Sequence, residues 1–95
     1  MIDVTEDLAP GVRGYTVEHQ GELWIPIIWS LSPGKGCVGA YLDALCTNRT
    51  IVFPAVISVR LEGMLTRRGF HVEWRENEVL SLLVECWVRY GRRQP

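Results

Sequence analysis

Apolar and polar positions alternate near the start of the chain and later give way to solid runs and helical stripes. Over residues 12–19, Tyr15, Val17 and His19 fall on one face and Thr16 and Glu18 on the other, the period of a β-strand. Gln20-Gly21 is a two-residue turn candidate, and the strand-favouring residues after it predict a β-hairpin. Residues 23–29 are apolar on both faces, as expected of an interior strand covered on both sides. Pro26 interrupts them and removes a ladder donor, which predicts a bulge or a place where the sheet parts.

After Pro33-Gly34-Lys35-Gly36, the residues Val38, Tyr41, Leu42 and Leu45 stand at i, i+3, i+4 and i+7, one apolar stripe of a helix that Thr47-Asn48 would end. Residues 50–57, Thr-Ile-Val-Phe-Pro-Ala-Val-Ile, read as a second fully buried strand. Strand, helix and strand in this order predict a right-handed crossover with the two strands parallel. Ser58 is the expected N-cap of a second helix over residues 59–68, with Leu61, Met64 and Leu65 facing inward. Arg67 and Arg68 suit its negative end as solvated charges, and Gly69 before Phe70 stands where a left-handed cap belongs.

Residues 70–75 alternate again, Phe70, Val72 and Trp74 against His71, Glu73 and Arg75, and Glu76-Asn77-Glu78 offers a turn. Residues 79–90 fit two periods. As a strand, Leu80, Leu82, Val84, Cys86, Val88 and Tyr90 share a face; as a helix, Ser81, Glu85 and Arg89 form a polar stripe. The valines, Trp87 and Tyr90 favour the strand and a second hairpin. Residues 1–11 are a leading segment ending in the turn signal Pro10-Gly11, and residues 91–95 a tail. The pattern as a whole predicts one α+β domain over residues 1–95 with an α/β-type core. Its sheet is mixed and mostly antiparallel, of about five strands, with one βαβ crossover and two helices.

Composition narrows the partners. The formal net charge is −1, from 10 basic and 11 acidic side chains, so no overall field favours nucleic acid or an anionic membrane. The apolar runs fall far short of the roughly 20 residues that span a bilayer. The start of the chain is acidic and lacks the apolar stretch of a signal peptide, so a cytoplasmic location is expected. Cys37, Cys46 and Cys86 form no Cys-x-x-Cys pair, and His19 and His71 keep no zinc-ligand spacing; no metal is expected, and a reducing compartment fits. Trp74 and Trp87 on the closing hairpin are candidates to cover open apolar surface, some of it by pairing with a second copy as a homodimer.

The candidate chemistry lies in residues 23–45, where an apolar run meets a glycine turn that opens a helix. The first N–H groups of a helix lack intrahelical partners and sit at its positive end, so the turn is a candidate phosphate cradle. It is not a nucleotide P-loop, which needs Ser or Thr after the lysine, where this chain has Gly36. Cys37 opens the helix, but no histidine lies close in sequence to serve as its base, and a packed thiol is expected. Trp24 and Trp29 read either as pocket-lining or as core residues.

The order of elements, with the loop at residues 33–38 and the helix 60–70 ending in Gly69-Phe70, resembles the GNAT acyltransferase superfamily over about residues 12–90. The resemblance implies a coenzyme A thioester, acetyl-CoA, as co-substrate and an amine or protein acceptor that attacks the thioester directly. It implies that main-chain groups of Ile28 and Ser30 hold the pantetheine arm. The amides of Gly34, Lys35, Gly36, Cys37, Val38 and Gly39, with the Lys35 side chain, would hold the pyrophosphate. Four positions depart from the family pattern. Pro33 replaces the arginine or glutamine that opens the loop, Val38 its final Gly or Ala, Ser58 an asparagine, and Leu65 a tyrosine that protonates the leaving thiolate. Residues 23–32 carry no ionisable side chain, so the sequence names no catalytic base.

Overall fold

Six strands and two helices follow one another as β1 (Glu6–Ala9), β2 (Val12–His19), β3 (Glu22–Ser30), α1 (Cys37–Ala44), β4 (Ile51–Pro54), α2 (Val59–Arg67), β5 (His71–Asn77) and β6 (Leu82–Arg89). They come from a computed structural model that describes residues 5–32, 34–45, 49–77 and 82–91. The readings on Pro33, Cys46, Thr47-Asn48, Glu78 and residues 79–81 lie outside the described residues. The strands make one mixed sheet in the order β1-β2-β3-β4-β6-β5, in which β3–β4 is the parallel pair and the remaining neighbours are antiparallel.

The sheet has six strands rather than about five, because β1 lies within the expected leading segment. Its sequence, Glu-Asp-Leu-Ala, has little strand propensity. Pairing with β2 through Glu6↔Gly14, Asp7↔Arg13 and Ala9↔Val12 holds it, and Arg13 reaches back to Asp7 at 3.1 Å and to the Thr5 hydroxyl at 3.2 Å. Tertiary pairing overrides the local preference.

Pro26 does what its missing N–H requires. Ile25 and Pro26 together oppose Thr16, so the β2–β3 register shifts by one residue there. The parallel pairing of β3 with β4 covers only Leu23↔Ile51 and Trp24↔Val52. Past that point β3 continues to Ser30 on β2 alone, and the sheet parts. Two expectations fail for this reason. Residues 23–29 are not covered on both faces, since Ile27 and Trp29 are 45% and 41% exposed. The strand expected to reach residue 57 stops at Pro54. The Ala55 N–H makes a last bond to the Glu85 carbonyl at 2.9 Å, its φ of 54° turns the chain, and Ile57 is 96% exposed.

Both helices pack on one side of the sheet. Val38, Leu42 and Leu65 close over Val12, Ile25, Ile51 and Phe53, with Phe70 set edge-on to Phe53 at 5.6 Å. Ser58 caps α2, its Oγ accepting from the Leu61 N–H at 3.2 Å. At the other end Gly69 N–H meets the Thr66 carbonyl and Phe70 N–H meets that of Leu65, a Schellman stop with Leu65 and Phe70 both buried. The other side of the sheet carries a separate apolar cluster, Val52, Cys86 and Val88 with Trp24 and Val84, that neither helix joins. Residues 82–89 are a strand, as the valines predicted. Glu76 and Asn77 extend β5 instead of turning, because their partners Leu83 and Leu82 continue the ladder.

Candidate functional site

The parallel pair decides where a cleft can form. β3 and β4 both point their carboxyl ends toward the helix starts, and the gap between them opens there, the place where α/β units take ligands. A cleft of about 310 Å³ lies at this point, within the usual range of roughly 300–1,000 Å³ for small-molecule sites. It is walled by the end of β3, the start of α1 and the start of α2. Of the residues implied to bind coenzyme A, Ile28, Ser30, Gly34, Gly36, Cys37, Val38 and Gly39 all line it; Lys35 is exposed on the loop and does not.

Gly34 and Gly36 adopt φ of 86° and 71°, a backbone shape that side chains with a Cβ resist, and a Cβ on either would meet no atom within 4 Å. The loop thus combines a glycine-only conformation with open space above it. Gly36 is the N-cap of α1 and supplies no side-chain bond to the first turn. The two helix starts differ: α2 has its serine cap, and among the described residues no side chain caps the first turn of α1. The side of β3 that faces away from β2 beyond Trp24 is likewise without a paired strand among the described residues.

Val38 and Cys37 pack as their sequence positions suggest, whereas Gly39 and Arg68 take a role that the sequence did not suggest. Val38 is 8% exposed and belongs to the core as much as to the cleft wall. Gly39 lies under the Arg68 guanidinium, whose Nη2 donates to the Gly39 carbonyl at 3.4 Å. Arg68 also donates to Asp43 at 2.9 Å and to the Met64 carbonyl at 3.0 Å, so it ties α1 to α2 rather than standing solvated. Cys37 packs on the core, its Sγ against Gly11. Trp29 lines the cleft, whereas Trp24 belongs to the helix-free side.

Arg60, one position into α2 from its first residue, is the cleft's one cationic lining residue among those described. Sequence reasoning passed over it because it reads as a surface position of an amphipathic helix. Only its place beside the Ser58 cap, at the end of the second crossover strand, could have marked it. Beside Arg60, the sole ionisable group lining the cleft among the described residues is Cys37.

On the opposite side of the sheet, Glu22 takes Arg75 at 2.6 Å and the Trp24 indole N–H at 3.2 Å. Tyr90 donates to Glu73 at 2.7 Å, and His71 lies 2.7 Å from the other Glu73 oxygen. The Tyr90 hydrogen bond, ahead of the His71 bond and the attraction of the Arg75 charge, holds the Glu73 carboxyl below its ordinary value, and the same bond raises the Tyr90 phenol. Burial pushes the Cys86 thiol up.

Comparison with protein-family models, curated proteins and solved structures finds no match to this chain. Among the described residues no group of three or more His, Cys, Asp or Glu is placed to hold a metal ion, and no helix is long and apolar enough to cross a membrane.

Proposed function

We propose that the cleft binds acetyl-CoA and that the protein is a small GNAT-like N-acyltransferase. The observation that carries this reading is the meeting of two helix starts and Arg60 at the open carboxyl end of a parallel strand pair. Free amides and a guanidinium at one spot favour a bound phosphate or pyrophosphate. The edge of β3 around Ile28 and Ser30, unpaired among the described residues, offers main-chain groups to the amides of a pantetheine arm, which would lie along it as an extra strand does. An amine lone pair would then attack the thioester carbonyl carbon, the C–S bond would break, and the amine proton would pass to water as the thiolate leaves. The chain contributes position and charge, with no side chain assigned as base.

A second reading, a GNAT-like binding protein without the chemistry, is favoured by one specific observation. Among the described residues the ionisable groups lining the cleft are Cys37 and Arg60, and neither is set against a histidine or carboxylate there. Calorimetric titration with acetyl-CoA tests what the two readings share. Binding tighter than about 100 µM, weakened by Arg60→Gln and by a bulky residue at Gly36, supports the site, and no binding at millimolar ligand removes it. Thiol release in the presence of amines then separates enzyme from binder.

A further inference from the structure

Successive residues of an antiparallel strand turn their main-chain groups to opposite neighbours, so one bond fixes the rest. The Ala55 N–H donates to the Glu85 carbonyl at 2.9 Å, which turns the main chain of Glu85 toward β4. Pro54, with no N–H to give, accordingly faces Cys86, where none is needed. Glu85 is the partner of Trp74, and the β5–β6 register runs unbroken from His71↔Val88 to Asn77↔Leu82. The N–H and C=O groups of His71, Glu73, Arg75 and Asn77 therefore go to β6. Those of Val72, Trp74 and Glu76 point out of the sheet edge, where no strand among the described residues meets them.

The two edges of the sheet differ. β1 is 4 residues long, acidic and broken by a register shift, devices that keep an edge from pairing. β5 has 7 residues, no proline and no bulge against β6. On the helix-free side the sheet curls around a hollow of about 440 Å³, larger than the cleft and lined from every strand from β2 to β6. Arg75 turns inward there to Glu22 at 2.6 Å, and Glu73 accepts from Tyr90 at 2.7 Å, so neither charge guards the edge. On the helix side Trp74 and Val72 are 63% and 42% exposed.

We infer that β5 pairs with β5 of a second copy, antiparallel about a two-fold axis at Trp74, and joins two sheets into one. Trp74 is the middle residue of β5, so this register overlaps the whole strand. The outward groups of Val72, Trp74 and Glu76 bond those of the partner's Glu76, Trp74 and Val72, and every free group of the edge is met. Glu73 falls opposite the partner's Arg75 in the closer, non-hydrogen-bonded pairs. Glu73 and Arg75 already lie 3.6 Å apart within one strand, so the axis generates a square of alternating charge. The two exposed indoles stand side by side on the helix side and cover one another. Other axes do worse. Centring on Glu73, Arg75 or Glu76 sets that charge against its own copy, and centring on Val72 carries residues 75–77 past the start of the partner strand. This interface stands apart from the acetyl-CoA cleft and does not depend on it.

The test is sedimentation equilibrium of the full chain, joined to amide hydrogen exchange over a range of protein concentrations. A monomer–dimer equilibrium is expected, with the amides of Val72, Trp74 and Glu76 slowing at least roughly tenfold as the dimer forms. Trp74→Lys, at an exposed position whose main chain takes no part in the β6 ladder, should give a monomer with unchanged far-ultraviolet circular dichroism. Val72→Glu, set against the partner's Glu76, should weaken the dimer several-fold, and Val72→Lys should not. The inference is overturned by a monomer up to about 1 mM protein, by a dimer that survives Trp74→Lys, by equal effects of Val72→Glu and Val72→Lys, or by slowed exchange at residues 6–9 instead of 72–76.

Discussion

Glu22 and Arg75 are 53 residues apart in sequence and meet at 2.6 Å, with about a fifth of each side chain exposed. Neighbouring strands stand ~4.8 Å apart, so in a flat sheet the strands carrying them would be about 14 Å apart. The ion pair is therefore a measure of how far the sheet coils, a consequence of strand twist that the closing hairpin exaggerates. The Glu22 hydrogen bond, ahead of the Tyr90 bond and the attraction of Glu22, keeps the Arg75 guanidinium charged beyond its ordinary range.

Breaking that pair should be costly on one side only. Arg75→Ala is expected to lower stability by about 1.5–3 kcal/mol, read from chemical denaturation. The double variant Glu22→Gln/Arg75→Met should recover part of the loss, because it leaves no lone charge on a half-covered surface. Simple additivity of the two single changes would show that the pair does not couple the strands.

Gly14 has a different kind of necessity. A Cβ there would press on the Ile27 carbonyl oxygen and the Leu8 side chain and lie 3.2 Å from the Ile28 Cα. Gly14→Ala should therefore cost roughly 1–3 kcal/mol and, if the proposed acetyl-CoA site holds, weaken that binding by moving the strand that carries Ile28. Gly63→Ala is the matched control. Its Cβ would meet only Arg67 Nη1 at 3.6 Å within a helix, so thermal unfolding should show a gain of about 0.5–1 kcal/mol.

Gly39 and Arg68 should show coupled substitutions. A Cβ at Gly39 would stand 2.9 Å from Arg68 Nη2, the movable end of a long side chain. In the native chain Gly39→Ala displaces that guanidinium and should be neutral or destabilising. In an Arg68→Ala background the same change should stabilise by about 0.5–1 kcal/mol, since only the helix preference remains. Melting temperatures of the four proteins test the reversal of sign.

The Glu73–Tyr90 bond predicts a dependence on pH at both ends. The Glu73 carboxyl is held below its ordinary value of 4.5, so its contribution is complete above that pH and is lost as pH falls through the lower folded value. The Tyr90 phenol is raised above 10.0, so its share is complete below that pH and disappears as pH rises through the folded value. Unfolding midpoints of the native chain and of Tyr90→Phe should differ most between those limits and converge in acid. A constant difference down to acid pH would rule the carboxylate out as the cause.

Most of the helix-bearing half was legible because its signals are local. The stripe of Val38, Tyr41, Leu42 and Leu45, the Ser58 cap and the Gly69-Phe70 stop each act within a few residues. Pro26 announced the bulge for the same reason, a missing N–H. Residues 50–57 misled because an unbroken apolar run says nothing about Ala55 turning left-handed or Ile57 facing water. β1 was hidden because its pairing with β2, and not its composition, makes it a strand. At the cleft, the loop glycines were readable from the strand-turn-helix pattern. Arg60 was not, since its approach to α1 depends on two crossovers ending side by side. The larger hollow was beyond sequence reasoning: its walls come from five strands that only the curl of the sheet assembles.

The two loop glycines lend themselves to mirror-image chemistry. At φ of 86° and 71°, Gly34 and Gly36 hold a backbone shape that a D-amino acid favours and an L-residue resists. No atom lies within 4 Å of where an L-alanine methyl would stand, so L-alanine at either site would be opposed by its own backbone and not by a clash. In a chemically assembled chain, D-alanine keeps the loop's shape and leaves the unfolded chain fewer conformations to lose. Two proteins of identical composition would then differ in the handedness of one carbon atom. That difference alone would decide whether the loop keeps its left-handed turns.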